Sequence, residues 1–382
     1  MRNELNLVHV RHVYIGAGIS GRCAKDIAAS GAKKALIITS KPIAAMTEPM
    51  LAQLADMGVA AKLHSAPDGE PTRAHLRDAL DVARGFEAEF IVGFGGGSAI
   101  DVAKLVAALM DSRKSFDDVA NEGLQSLRKL PLACIPTTAG TGSEVTPIAI
   151  IEDEDAELKK GIVSPQLVPD YAYLDAQLTA SMPRNVTAST GLDALTHCIE
   201  AYANKASHPV VDCWALEGIG LIAGNLETAC SEPENMAARE AMLIASHLGG
   251  MCLGPVNTAA VHALAYPMGG EFHVPHGVAN SLLLPHVIRF NALEAPARYA
   301  NVAHALGVAR SGDAAIDAEA GIARIEALSA AVGIDRRLRD VGIGSNALPK
   351  MAAAAMTVQR LLKNNPREVS EAQALQIYEA AL

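Results

Sequence analysis

The 382-residue sequence has few aromatics, at 4% with a single tryptophan, and little charge, at 19%. Nucleic-acid partners need basic surface and stacking platforms. With 32 Lys and Arg against 42 Asp and Glu, a net charge of −10 and no basic block, such partners are excluded. The apolar stretches are broken by charges such as Asp101 and Lys104, and Met1 to Val10 carries Arg2 and Glu4 without an apolar core. Neither a membrane span nor a signal peptide is expected. The six cysteines (Cys23, Cys134, Cys198, Cys213, Cys230, Cys252) form no Cys-x2-Cys pair, which argues against a zinc cluster or a disulfide scaffold. Buried thiols in the cytoplasm are expected instead.

The length predicts two domains. In the first half, short β-branched or apolar runs (Ala35 to Thr39, Phe90 to Gly93, Leu132 to Ile135) alternate with helical spacing over Pro42 to Met57 and Pro71 to Ala83. That alternation predicts a parallel α/β sheet. Ile148 to Ile151 and Gly161 to Val163 read as a hairpin around a charged turn. From about Val186 onward the sequence is rich in Ala, Leu and His with helical periodicity, and prolines at 209, 233, 255 and 285 read as breaks. The boundary falls near Pro183, giving an α/β domain over residues 1–183 and an all-helical domain over 184–382, with a site expected in the cleft between them.

Two glycine-rich stretches compete for a phosphate. Gly16-Ala-Gly18-Ile-Ser-Gly21 matches the dinucleotide fingerprint, yet the strand that follows ends in Ser40 where an acidic residue would hold a ribose. Gly95-Gly96-Gly97-Ser98 follows a strand and opens a helix, so its amides and the helix N-terminus suit an anion. Further on, the hydroxyl-rich run from Thr137 to Thr146 suits a polar, uncharged portion of a ligand. Asp193 and His197 stand four apart on one helical face, and His262 and His276 follow downstream. A carboxylate and three imidazoles suit a divalent metal such as iron(II) or zinc, although His273 and His286 lie close enough that density alone does not choose the ligands.

Taken in order, the Gly-Gly-Gly-Ser-x2-Asp-x2-Lys loop, the Pro-Thr-Thr-Ala-Gly-Thr-x-Ser-Glu-Val-Thr loop, Gly-x-Asp-Ala-x2-His and Pro-His-Gly-Val-Ala-Asn280 resemble the iron-containing (group III) alcohol dehydrogenases over nearly the whole chain. The resemblance implies an N-terminal dinucleotide-binding α/β domain and a helical C-terminal domain, the fold shared with dehydroquinate synthases. It implies metal ligands at Asp193, His197, His262 and His276, and a pyrophosphate loop at Gly96, Gly97 and Ser98. Further cofactor contacts are implied at Thr137, Thr138, Thr141, Thr146, Lys159 and Leu178, and the Gly16 stretch becomes a helix start. Two departures stand out. Members that prefer NAD carry an aspartate where this chain has Ser40, so NAD and NADP both remain open. Tyr266 stands where many members hold a proton-transferring histidine. Tyrosine is a poor proton acceptor near neutrality, which makes His273 a substitute candidate.

The activity implied is reversible hydride transfer between a primary or secondary alcohol and NAD or NADP, with Fe2+ or Zn2+ as Lewis acid, in a homo-oligomer. Two rivals are a dehydroquinate synthase-like lyase using NAD transiently and a non-catalytic metal- or cofactor-binding homologue. The first would need a basic pocket for a phosphorylated substrate, and the sequence supplies few cations near the Asp193 and His262 motifs.

Overall fold

The computed structural model describes residues 4–66, 69–112, 114–124, 127–153, 158–334 and 337–382. Two compact units emerge, one of Val8–Thr138 and Gly142–Ala180, the other built on Ser181–Leu382 and taking in Ala139–Thr141.

The first unit is built on a six-stranded parallel sheet. Its strands are β1 (His12–Ile15), β2 (Lys34–Ser40), β3 (Ala60–Ala66), β4 (Phe90–Gly95), β5 (Leu132–Pro136) and β8 (Tyr171–Leu174), in the order β1-β8-β5-β4-β2-β3. The central strands are apolar without alternation because both faces are covered. Leu36, Ile38, Ile91 and Leu132 pack on one side with α3 (Arg73–Phe86) and α4 (Gly97–Leu109), while Ile37, Val92, Ile135 and Tyr173 pack on the other with α1 (Arg22–Ala29) and α2 (Glu48–Asp56). The short α5 (Phe116–Glu122) follows α4. The predicted hairpin is present as antiparallel β6 (Ile148–Asp153) and β7 (Leu158–Val163).

The second unit is helical among its described residues: α6 (Arg184–Ala203), α7 (Pro209–Ser231), α8 (Met236–Leu253), α9 (Ala260–Phe272), α10 (His276–Ala292), α11 (Pro296–Ala305), α12 (Ala314–Val332), α13 (Leu348–Ala355), α14 (Gln359–Leu362) and α15 (Glu371–Ala381). Pro183 is the N-cap of α6, and from Gly191 to Ala203 every residue of that helix is buried. A helix covered all round needs no polar face, which explains its small-residue and leucine content. One expected break is absent: Pro285 lies inside α10. Burial of that segment on all sides outweighs the ~3 kcal/mol that an interior proline costs. All six cysteines are free thiols, five of them buried, and no helix among the described residues is long and apolar enough to cross a membrane.

Candidate metal centre

Asp193 and His197 are one turn apart on α6, His262 sits in the first turn of α9, and His276 opens α10. One ligand atom from each of these four side chains lies within 4.8 Å of every other. Asp193 Oδ1 is 3.9, 3.8 and 3.7 Å from Nε2 of His197, His262 and His276. Four bonds of about 2.1 Å to one ion need tetrahedral ligand separations near 3.4 Å, and the three distances from Asp193 lie within roughly half an ångström of that. Asp193, His197 and His262 are buried, at 3–4% exposure, whereas the His276 side chain keeps 26%.

The polar surroundings fix each ring. Gly140 O lies 3.3 Å from His197 Nδ1; a carbonyl only accepts, so that nitrogen carries the proton and Nε2 keeps its lone pair. Glu200, also buried, accepts from His262 Nδ1 at 2.6 Å and from the amide of Val261 at 2.6 Å. The carboxylate therefore holds the His262 tautomer whose Nε2 faces the cluster, the arrangement by which second partners orient metal-binding imidazoles. Burial pushes the His197 imidazole below its ordinary range, which keeps it neutral and able to ligate. Burial alone would raise the Asp193 carboxyl, but His197, His276, His262 and the Asn280 amide reverse this and hold it below its ordinary value.

Asn280, one turn after His276 and fully buried, tests whether the site fits a cation. Its Nδ2 lies 2.7 Å from Asp193 Oδ1, 3.1 Å from His262 Nε2 and 3.2 Å from His276 Nε2, while its own Oδ1 is buried without a hydrogen-bond partner. An amide donor thus sits where three lone pairs converge. A pocket that collects electron pairs so strongly, and orphans an oxygen in doing so, fits a cation.

Two glycines make the approach of the elements possible. A Cβ on Gly140 would lie 2.6 Å from Thr190 Cβ, so residues 139–141 rest directly on α6. A Cβ on Gly277 would lie 2.7 Å from the carbonyl carbon of Ser189, which lets the start of α10 cross α6 backbone to backbone.

The glycine loops of the α/β unit separate cleanly. Gly18 N, Ser20 N and Ser20 Oγ all donate to the Asp175 carboxylate at 3.0, 3.2 and 2.7 Å, so the fingerprint's anion position is filled from within the chain. Gly96 instead is the N-cap of α4 with no side-chain cap, Gly97 and Ser98 form its first turn, and Thr138 Cγ2 lies 3.3 Å from where a Gly96 Cβ would be. Thr137 is buried, with its amide on Gly95 O at 3.0 Å. Thr146 Oγ1 accepts from the fully buried Lys104 Nζ at 2.8 Å, which also reaches Ser143 Oγ at 3.0 Å and Ile148 O at 2.8 Å. Ser143 donates to Asp101, whose other oxygen accepts from Ile150 N at 2.9 Å. Asp101 and Lys104 of the glycine-loop motif therefore pin residues 143–150. Thr141 is half-buried in the helical unit, Ser40 closes β2, and Leu178 packs at the edge of the apolar layer beneath α1. Lys159 lies in β7 opposite Glu152, and its side chain is outside the described residues. Tyr266, one turn after His262, is half-buried, whereas His273 is exposed as the left-handed C-cap of α9.

The sequence profile described as iron-containing alcohol dehydrogenase matches residues 11–176, and that of the Fe-containing alcohol dehydrogenase family, C-terminal, matches residues 187–382. The chain belongs to the iron-containing alcohol dehydrogenase family. It is 37% identical over 368 residues to the probable alcohol dehydrogenase EutG of Salmonella typhimurium, covering 96% of this chain and 92% of that one. Among solved structures, a 1,3-propanediol oxidoreductase superposes with a TM-score of 0.95 at 33% identity over 100% of both chains. Sulfoacetaldehyde reductase from Bifidobacterium kashiwanohense in complex with NAD+ superposes with a TM-score of 0.88 at 27% identity over 99% of both chains. The chain is accordingly an oxidoreductase that interconverts an alcohol and its carbonyl form with a nicotinamide cofactor, and the lyase and non-catalytic readings give way. Two residues of this dehydrogenase's centre escaped the sequence reading. Glu200 follows Asp193 by seven and His197 by three, on the same helical face, and Asn280 follows His276 by four; helical spacing was the available signal in both cases.

Proposed function

We propose that Asp193, His197, His262 and His276 hold one divalent cation, Fe2+ or Zn2+, and that the protein catalyses reversible oxidation of a primary or secondary alcohol by NAD or NADP. The convergence of those four ligand atoms within 4.8 Å carries the reading. When bound, the cation supplies Lewis acidity to the reacting oxygen and the nicotinamide accepts the hydride. The chain's own contribution is positional. Glu200 and the Gly140 carbonyl hold protons on His262 Nδ1 and His197 Nδ1, which leaves the opposite nitrogens free to bind metal. The uncapped start of α4 at Gly96, Gly97 and Ser98 takes the cofactor pyrophosphate, with Thr137, Thr138, Thr141, Thr146, Lys159 and Leu178 lining the remainder of the cofactor site. Lys104 holds the Thr146 hydroxyl in place from behind. Ser40 presents no carboxylate at the end of β2, so a 2′-phosphate meets no repulsion there and both cofactors are accepted. Tyr266 and His273 divide the polar work at the outer end of α9. The half-buried phenol donates a hydrogen bond to bound substrate, and the exposed imidazole exchanges protons with solvent.

The reading includes a cytoplasmic homo-oligomer. Five buried free thiols suit a reducing compartment, and Val8, Val13 and Ile15 expose 39%, 38% and 47% of their surface along or beside the edge strand β1, where another copy would cover them. The test is a metal assay coupled to turnover. His262→Ala and His276→Ala are expected to lose bound metal and the absorbance change of nicotinamide reduction with alcohols, in the presence of either cofactor. Full activity in either variant overturns the assignment.

A further inference from the structure

Seven arginines among the described residues are buried or half-buried, and six of them have a clear partner for the guanidinium. Arg73, Arg128, Arg298 and Arg324 pair with carboxylates. Arg239 and Arg367 donate to backbone carbonyls. The seventh, Arg360 on α14, has neither. Its one hydrogen bond runs from Nη2 to the hydroxyl of Tyr266 at 3.4 Å, and no carboxylate lies within ion-pair distance among the described residues. Withdrawing a guanidinium from water without a counter-charge is unfavourable, so a half-buried unpaired arginine marks a place where an anion belongs.

Its location says which anion. Tyr266 stands four residues after the metal ligand His262 on α9, hence on the same helical face and about 6 Å further along the axis. Arg360 therefore reaches the helix that carries His262 one turn beyond the reacting centre. We infer that Arg360, with the Tyr266 hydroxyl beside it, binds an oxyanion on the substrate, so that the preferred substrates are short alcohols and aldehydes of about two to four carbons ending in a carboxylate or sulfonate. The planar fork donates to two oxygens of such a group, and the phenol offers a third donor. Neutral chains of the same length leave the guanidinium unpaired and desolvated, which disfavours them. Tyr266 thereby acquires a reason for standing where many members of the family hold a histidine: it orients the guanidinium.

This inference rests on the proposed oxidoreductase reading, and the experiment separates the two. Matched aldehyde pairs are compared in the metal-loaded enzyme: succinic semialdehyde against butanal, and sulfoacetaldehyde against propanal. The ratio of kcat/KM, anionic over neutral, is expected to favour the anion in the wild type, to fall about 100-fold in Arg360→Gln, and to recover in part in Arg360→Lys. The carboxylate and sulfonate arms show which head group is recognised. A ratio unmoved by Arg360→Gln in both pairs overturns the anion site. Should no aldehyde turn over, calorimetric binding of 4-hydroxybutanoate and 2-hydroxyethanesulfonate to wild type and Arg360→Gln decides. Binding that Arg360→Gln abolishes upholds the anion site and counts against the oxidoreductase reading alone, while equal or absent binding in both proteins rejects the anion site as well.

Discussion

Replacing Glu200 by Gln probes the metal centre without touching a ligand. The native carboxylate accepts two hydrogen bonds at 2.6 Å, from Val261 N and from His262 Nδ1. Glutamine offers one oxygen and one NH2 at the same shape. If its oxygen serves His262, the NH2 faces the Val261 amide and two donors confront each other, leaving a buried N–H unpaired at a cost of about 1–3 kcal/mol. If instead the NH2 turns to His262, it donates to Nδ1, the ring proton moves to Nε2, and the lone pair aimed at the cluster is lost. The second outcome removes a ligand lone pair outright, and in the first the ring faces a neutral amide oxygen in place of a carboxylate, which lowers its basicity toward a cation, so both weaken metal binding. The loss is expected to be about 10- to 100-fold in Kd, which is roughly 1.4–2.7 kcal/mol. The assay is anaerobic competition for Fe2+ or Zn2+ against a chelator of known affinity, run beside urea unfolding of the metal-free protein. A variant that loses stability yet binds metal within twofold of wild type refutes the tautomer argument and leaves Glu200 as a cap for the start of α9.

Gly277→Ala places a methyl against the Ser189 carbonyl, where backbone rather than a flexible side chain must give way. It should destabilise the protein by about 1–3 kcal/mol and reduce metal occupancy, because His276 and Asn280 move with that turn; normal urea unfolding and full occupancy would contradict the backbone crossing. At acid pH, Asp317 is informative. The hydroxyl and amide of Ser311, with His304, hold its carboxyl down at about 2. A depressed carboxyl stabilises the fold above its unfolded value of about 3.9, and that contribution fades as pH falls from there through about 2. The stability gap between wild type and Asp317→Asn should therefore be widest above pH 5 and narrow toward pH 2, and a gap independent of pH in unfolding titrations would exclude the linkage.

How much of this was legible depended on burial and on distance along the chain. Strands β2, β4 and β5 announce themselves because both faces are covered, so their residues are apolar without interruption. Strand β3, Ala-Ala-Lys-Leu-His-Ser-Ala, lies at the sheet edge, half solvated, and carries no such run. The four side chains of the proposed metal site were reached through motifs. Glu200 was not, because a helical glutamate in an Ala-rich stretch reads as surface charge until its neighbours are seen to bury it. Arg360 meets Tyr266 across 94 residues, a pairing no local pattern encodes. Nor does any local signal say that Ala139–Thr141, three residues of a continuous loop, belong with the helical unit.

The Asp175 carboxylate seated on Gly18 and Ser20 has a consequence for how such stretches behave toward solutes. A free phosphate arriving there would compete with a ligand tethered to the same chain, whose effective concentration exceeds that of cellular metabolites. The loop is in effect self-inhibited as a receptor. Removing one side chain 157 residues downstream, rather than altering the glycines, is what would convert a dormant turn into a binding place for anions.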